Sequence, residues 1–199
     1  SARHDPDNRL CSKYTIQRLE AEAIRDALLA VSGRLDRTFG GAMFASANKK
    51  RVTMAPDDSV YNSFRRSIYL PSIRVRSYEM FSIFDVPDSG QHVAQRTQTM
   101  VAQQALFLMN NPMVLAQAQK LAERVSQHAG DFDLRVDWLH RTIYGRPARS
   151  AEVSVLASTF ADLTDSTGSQ QDADASGRIA AWQHLIHTMM CANEFINLR

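Results

Sequence analysis

Residues 97–119 read TQTMVAQQALFLMNNPMVLAQAQ and contain no formal charge, although Arg96 precedes them and Lys120 follows them. The stretch includes five Gln, two Asn and one Pro, which bilayer hydrocarbon would not tolerate cheaply. We therefore interpret it as part of a buried core and not as a membrane span. An uncharged stretch of this length is stable in water only when it is covered.

The proline inside this stretch predicts a corner between two helices. A residue that precedes proline is pushed out of the α-helical conformation, so the first helix is expected over Thr97–Asn110 and the second from Pro112 to about Gln127. Asn111 is suited to cap the second helix. The side chains expected to be buried around the corner are Leu106, Met109, Val114, Leu115 and Ala118.

Apolar residues at spacings of three and four predict further helices on both sides of this corner. The predicted ranges are Tyr14–Val31, Asn62–Leu70, Tyr78–Phe84, Asp131–Tyr144, Ser150–Leu163 and Ser176–Phe195. The first helix should bury Ile16, Leu19, Ala23, Ala27, Leu28 and Val31 and stop at Gly33. Residues 73–76 alternate apolar and basic side chains, which leaves a strand as an alternative there.

These elements predict a mainly α fold, an irregular bundle of about six to seven helices with little or no β structure. A chain of 199 residues suggests one domain over residues 1–199. A subdivision into an irregular half, 1–95, and a compact helical bundle, 96–199, is also compatible with the pattern. The first residues lack both an initiator Met and an apolar signal segment, so we expect a fragment of a larger protein.

Composition and charge exclude some classes of protein. Hydrophobic residues at 44% and charged residues at 22% are ordinary globular values and argue against disorder. Residues 1–76 hold 14 Lys+Arg against 8 Asp+Glu, whereas residues 77–199 hold 9 against 13. The basic half could attract a polyanion or dock against another domain, but no nucleic-acid motif or aromatic platform accompanies the charge. We therefore expect no nucleic-acid partner.

The cysteines do not form a disulfide framework. Cys11 and Cys191 lie near opposite ends of the chain, so a bond between them and two separate thiols are both compatible with the sequence. No Cys-x-x-Cys-His motif occurs, so this chain cannot attach a c-type haem in the usual way.

Several short motifs follow one another in a recognisable order. They are residues 19–33 (LEAEAIRDALLAVSG), Gly40-Gly41, residues 65–69 (RRSIY), Phe84-Asp85-x-Pro87-Asp88, Arg96 with Thr99, residues 104–106 (QAL) with Asn110, residues 144–147 (YGRP) and residues 193–195 (NEF). This ordered set of motifs resembles the planctomycete-type C-terminal domain that carries number 1553 among the domains of unknown function. That domain is often found with cytochrome-c-like domains. The resemblance covers the chain from about Asn8 onward.

The resemblance implies a secreted or periplasmic parent protein, with no cofactor in this fragment and a haem domain elsewhere in the parent. It implies no activity, because none is assigned to the family. The region around His92 lacks the cysteine that many members carry before the residue matching Arg96.

One set of polar residues could form a catalytic or ligand-binding site. It comprises Glu22, Asp26, Arg65, Arg66, Asp85, Arg96, Gln104 and Asn110. Glu22 and Asp26 are four apart on one helix and could present paired carboxylates, while the arginines could bind an anion. The structural alternative, which we favour, is that these groups tie loops to the bundle, with Arg96 bonded to Asp85 or to carbonyls near Gly40.

Two metal-like patterns also occur. Asp172, Asp174 and Ser176 precede Gly177 as in an EF-hand loop, but the twelfth position is Gln183, which offers no bidentate carboxylate. We expect no tight calcium site there and interpret the residues as a polar turn before a helix. His184 and His187 are three apart on a predicted helix, yet no further ligand completes a set.

The leading hypothesis is a binding or interaction module that docks to other domains of the parent chain or to a protein partner. The alternative is a periplasmic enzyme acting on an acidic polymer or glycan through Glu22 or Asp85 with Arg66 and Arg96. An open pocket containing Glu22, Asp85 and Arg96 together would favour the enzyme, and the same groups paired and buried would favour the module.

Overall fold

The computed structural model describes residues 5, 7–11, 14, 16–41, 61–72, 77–166 and 174–198. The prediction of a mainly α fold is confirmed in this part of the chain. The elements are β1 (Gln17–Arg18), α1 (Ala21–Ser32), a 3-10 turn (Ser67–Tyr69), α2 (Glu79–Ile83), α3 (Ala102–Asn110), α4 (Pro112–Gln127), α5 (Phe132–Tyr144), α6 (Ser150–Ser166), α7 (Asp174–Cys191), α8 (Asn193–Ile196) and β2 (Asn197–Leu198). No helix among the described residues is long and apolar enough to span a bilayer.

One hydrophobic core joins the two halves of the chain. Helix α7 packs mainly against α4 and also contacts α6 and α3, while α1 packs against another side of α4. Trp182 and Ile186 of α7, Leu121 of α4, and Ile24 and Leu28 of α1 are all fully buried in this core. The first helix is therefore an integral part of the bundle.

The corner at Pro112 is confirmed, but one face of α3 was predicted wrongly. Asn111 caps α4, since its side chain accepts a hydrogen bond of 2.9 Å from the backbone N–H of Met113. Leu106 and Met109 are 55% and 54% exposed, whereas Phe107 and Leu108 are buried. Leu115 is half-buried, and Val114 and Ala118 are fully buried as expected. The nine-residue α3 lies at the edge of the bundle, where α2, α4 and α7 cover only one of its sides.

Helix α1 begins at Ala21 and not at Tyr14. The preceding residues Gln17–Arg18 instead pair antiparallel with Asn197–Leu198, a contact with the far end of the chain that local periodicity cannot report. The helix ends as predicted at Gly33, whose φ of 80° is the left-handed conformation that glycine adopts readily. Its buried face differs from the prediction, because Ala23 is exposed and Arg25 is buried.

The helix predicted over Asn62–Leu70 is only the single 3-10 turn Ser67–Tyr69. The carbonyls of Ser63 and Arg65 accept hydrogen bonds from the Arg25 guanidinium, so a side chain occupies acceptors that a continuous helix would use. The predicted helix Thr97–Asn110 likewise begins later, at Ala102. Residues 73–76, where a strand was the alternative, lie outside the described part of the chain.

The remaining helices follow the predictions closely. Asp131 caps α5 by accepting a 3.0 Å hydrogen bond from the N–H of Leu134, and α6 extends three residues further than Leu163, to Ser166. The last predicted helix begins at Asp174 and breaks at Ala192, where the backbone is extended with ψ of 146°. Cys11 is exposed and Cys191 is half-buried, and both are free thiols.

Candidate functional site

A cavity of about 930 Å³ lies between the start of α1, the segment 61–72, α2 and the loop that follows α2. We call it the Arg96 cleft. Its charged lining residues are Glu20, Glu22, Asp26, Asp88, Arg66 and Arg96. The cleft therefore brings together four members of the predicted polar set, Glu22, Asp26, Arg66 and Arg96.

Arg96 forms an ion-pair cluster with two carboxylates of the α1 entry. Its Nη1 and Nη2 donate to the two oxygens of Glu22 at 3.0 and 2.9 Å, and Nη1 lies 3.1 Å from Glu20 Oε2. Burial opposes ionisation of Glu22, but the Arg96 hydrogen bonds, a backbone hydrogen bond and the positive charge of Arg96 together outweigh it and lower the pKa of that carboxyl. The predicted Arg96 partners, Asp85 and the carbonyls near Gly40, are wrong. The Arg96 side chain is 39% exposed, so this is a surface pair and not a buried tie.

Asp26 anchors the opposite wall of the cleft. Its Oδ1 accepts hydrogen bonds of 2.7 Å from both the backbone N–H and the hydroxyl of Ser67, and Arg66 Nε lies 3.5 Å from Oδ2. Next to it, the buried Arg25 guanidinium donates to the Ser67 hydroxyl at 3.2 Å as well as to the carbonyls of the same segment. Asp26 and Arg25 thus hold the 63–67 segment against α1.

Arg25 is a residue that sequence reasoning missed. It directly follows the buried Ile24 and lies three residues before the buried Leu28, so it belongs to the core-facing stripe of α1. Burial lowers the pKa of Arg25, and the nearby Tyr78 and Asp26 oppose that shift. The sequence signal for the burial of Arg25 was its position as a basic residue within an otherwise apolar stripe of the helix.

Aromatic side chains form a second part of the cleft lining. The rings of Tyr61 and Tyr78 stack with centroids 4.5 Å apart, and Phe81 meets Tyr78 edge-on at 5.1 Å. This cluster packs the 61–72 segment on α2 and gives the cleft a partly apolar floor.

Asp85 and Gln104 lie outside the cleft, in a junction beneath the start of α3. Asp85 Oδ2 accepts from Arg18 Nη2 at 2.6 Å and from the backbone N–H of Thr99 at 2.8 Å. Gln104 Nε2 donates to the carbonyl of Ile83 at 3.0 Å. Asp85 has φ of 63°, a left-handed conformation that aspartate tolerates better than most residues. Because Thr99 is hydrogen-bonded to Asp85 in this junction, α3 begins only after Thr99. The side chains of Asp85 and Gln104 are thus engaged in bonds within the protein.

The other two members of the polar set satisfy backbone groups. Arg65 donates to the carbonyls of Thr38 at 3.1 Å, Gly40, and Gly41 at 3.4 Å, which is the role we had expected of Arg96. Asn110 Nδ2 donates to the Leu106 carbonyl at 2.8 Å at the exposed end of α3. The predicted set is therefore four separate structures and not one site.

Neither metal-like pattern assembles a ligand set in the described residues. Asp172 lies outside them, while Asp174 and Ser176 fall in the first turn of α7. The ring of His187 contacts the Leu108 carbonyl through Nε2 at 3.0 Å, and His184 is exposed. Within the part of the chain that the structure describes, no three His, Cys, Asp or Glu residues are placed to share a metal ion.

Two separated sequence motifs meet through Arg146. Arg146 donates to both oxygens of Glu194, at 2.7 and 2.9 Å, and to both oxygens of Glu152, at 2.9 and 2.7 Å. This double bidentate pairing connects the turn after α5 to the first turn of α6 and to α8. Residues 144–147 and 193–195 are thus parts of one clamp, which we call the Arg146 clamp.

Comparison with known proteins identifies one family that matches this chain. The PSD1 family, described as a protein of unknown function (DUF1553), matches residues 1–160. No curated protein and no solved structure is significantly similar to this chain. The family match includes the Arg96 cleft, the Asp85 junction and the corner at Pro112, and it spans well over half of the chain. The chain therefore belongs to the PSD1 (DUF1553) family of proteins of unknown function.

Proposed function

We propose that this domain is a non-catalytic interaction module that docks another protein domain on the exposed side of α3. One observation carries the proposal. Ala102, Ala105, Leu106 and Met109 recur at the spacing of a single helix stripe, and all four are exposed. We call this stripe the α3 face.

The α3 face is better suited to contact with an apolar helix than to contact with water. Met100 and Val101, both exposed, extend it at its N-terminal end, and no formal charge occurs between residues 97 and 119. The two alanines allow a second helix to approach closely, while Leu106 and Met109 provide side chains that can fill its grooves. Contiguous exposed apolar surface of this kind marks interaction sites in soluble proteins.

The partner that we favour is another domain of a larger parent protein. The resemblance described above supports a secreted or periplasmic parent of planctomycete type, with a cytochrome-c-like domain elsewhere in it. In such a protein the α3 face would be covered by the neighbouring domain, and the partner helix would present an uncharged surface to it.

The enzyme alternative receives less support from the geometry. Asp85 is held by Arg18 and Thr99 away from the cleft, and Glu22 is held by Arg96. Because Arg96 lowers the pKa of Glu22, this carboxyl is unprotonated near neutral pH and is not available as a general acid. The two carboxylates assigned to the reaction do not share a pocket.

The test compares Leu106→Asp with Gln103→Asp, since both residues are exposed on α3 and both changes add one negative charge. Binding of the domain to the separately produced remainder of its parent protein is measured by calorimetry. We expect Leu106→Asp to weaken binding at least about tenfold and Gln103→Asp to change it much less. Equal affinity for the wild type and Leu106→Asp, with both proteins folded, would overturn the proposal.

A further inference from the structure

Two irregular segments, 34–41 and 64–69, lie side by side after the end of α1. The backbone N–H of Asp36 donates to the Phe64 carbonyl at 2.9 Å, and the Arg34 guanidinium lies over the Phe64 ring, 4.0 Å from its centroid. These contacts join the two segments into one surface, which we call the Phe39 patch. Its members are Arg34, Arg37, Phe39, Phe64, Arg65 and Ile68.

The backbone around Phe39 is fixed, although its ring is exposed. Arg65 donates to the carbonyls of Thr38 and Gly40, which flank Phe39 on either side. The N–H of Gly40 donates to the Tyr69 hydroxyl at 3.1 Å. The Phe39 ring is nevertheless 94% exposed. The protein therefore holds a large apolar group out in solvent by means of hydrogen bonds to its neighbours.

Phe39 is not an isolated exposed residue. In the second segment, Ile68 is 77% exposed and Phe64 is 41% exposed. Single apolar side chains on a surface are ordinary, but several that lie together in segments bonded to each other indicate a contact surface.

The patch is also cationic. Its two segments contain one acidic side chain, Asp36, and four basic ones, Arg34, Arg37, Arg65 and Arg66. Residues 34–72 as a whole hold seven Lys and Arg against three Asp, so the excess of positive charge belongs to the entire region. The groups that contact Arg34 and Arg65 directly, an aromatic ring and backbone carbonyls, are uncharged and do not neutralise the two guanidinium groups.

We propose that the Phe39 patch binds the surface of an anionic lipid bilayer. At such a surface the lipid phosphates attract the arginines, while exposed apolar side chains enter the boundary between headgroups and acyl chains. A soluble acidic polymer would satisfy the arginines but would leave Phe39 and Ile68 in water. The α3 face takes no part in this contact, so the inference goes beyond the docking function proposed above.

The first test is sedimentation of the domain with phosphatidylcholine vesicles that either contain or lack phosphatidylglycerol. We expect binding only to the anionic vesicles, and weaker binding as sodium chloride is added. In a Phe39→Trp variant, the fluorescence emission should shift to shorter wavelength when the anionic vesicles bind. Absence of vesicle binding, or binding that does not depend on phosphatidylglycerol, would overturn the proposal.

Matched variants test whether the patch itself makes the contact. Phe39→Ser should weaken vesicle binding at least about fivefold, whereas Val155→Ser, at an exposed position of α6, should not change it. Arg37→Glu should weaken binding about tenfold or more, and Arg178→Glu, at an exposed position of α7, should have a much smaller effect for the same change in net charge.

Two results would contradict this assignment. Equal losses for Arg37→Glu and Arg178→Glu would mean that net charge alone attracts the domain to the vesicles. Binding to soluble polyglutamate as tight as binding to the vesicles, with no effect of Phe39→Ser on either, would identify an acidic polypeptide as the partner in place of a bilayer.

Discussion

The buried side chain of Arg25 holds the 63–67 segment against α1 beside the cleft. Its guanidinium is 2% exposed and donates to two carbonyls and one hydroxyl of the 63–67 segment. We predict that Arg25→Ala lowers the free energy of unfolding by about 3–5 kcal/mol, because it leaves those acceptors without their donor and removes the positive charge 3.7 Å from Asp26. Urea denaturation followed by circular dichroism measures the change.

Arg96→Ala is the matched control for this prediction. The Arg96 side chain is 39% exposed and pairs with carboxylates that are themselves partly solvated, so we expect a cost below about 1 kcal/mol. The large cost that a buried Arg96–Asp85 pair would have implied is no longer expected. Equal losses for the two variants would contradict the distinction between a buried and a surface arginine.

The Arg146 clamp predicts a dependence of stability on acid. The Arg146 hydrogen bonds lower the pKa of Glu152 to about 2, with help from the backbone N–H of Arg149. A carboxyl whose folded pKa is depressed stabilises the fold above its unfolded pKa, which is about 4.3, and loses that contribution as the pH falls towards 2. We therefore predict a falling urea midpoint between about pH 4.5 and 2.

Glu152→Gln should lower stability at neutral pH and flatten this part of the pH profile. Glu123→Gln is the control, because that carboxylate pairs with the exposed Lys120 on the surface of α4. If the profile of Glu152→Gln kept the slope of the wild type, the clamp would not be the source of the acid sensitivity.

At the level of elements, the corner between α3 and α4 depends on two adjacent asparagines with different tasks. Asn111 accepts the Met113 N–H at the start of α4, whereas Asn110 donates to a carbonyl at the exposed end of α3. We predict that Asn111→Ala costs about 1 kcal/mol as a lost cap and that Asn110→Ala costs less than half of that. Thermal unfolding of the two variants side by side tests the order, and a larger loss for Asn110→Ala would refute it.

The two sides of α3 should respond differently to truncation. Phe107 is buried and meets Phe84 edge-on at 5.9 Å, so Phe107→Ala should cost about 3–5 kcal/mol. Leu106→Ala removes an exposed side chain and should change stability by no more than about 0.5 kcal/mol in the isolated domain. A large loss for Leu106→Ala in urea denaturation would mean that the α3 face is covered within this chain.

At the level of the whole molecule, the hydrophobic core extends beyond the segment that the family matches. The match ends at residue 160, but α7 supplies the fully buried Trp182, Ile186 and Met190 and packs along α4. We predict that a chain ending at residue 160 lacks a cooperative thermal transition, because its α4 would expose its core face to water. A sharp transition in that truncated chain would show that α7 and α8 are dispensable.

Local sequence patterns were enough to predict the helical class, most helix positions in the second half and the corner at Pro112. These features depend on local signals: apolar periodicity, the geometry that proline imposes on its neighbour, and caps such as Asn111 and Asp131. Such signals act within a few residues, so they survive in the folded protein whatever lies on the other side of the helix.

The tertiary structure alone decided which faces are buried and which charges meet. Arg96 pairs with Glu22, 74 positions away, and Arg18 pairs with Asp85, 67 positions away. The observed pairs and the expected Arg96–Asp85 pair all join an arginine to a carboxylate. Composition and spacing therefore cannot choose between the observed and the expected pairing. The choice depends on where the packed helices place each backbone, because an ion pair forms only between groups that are already brought within a few ångströms.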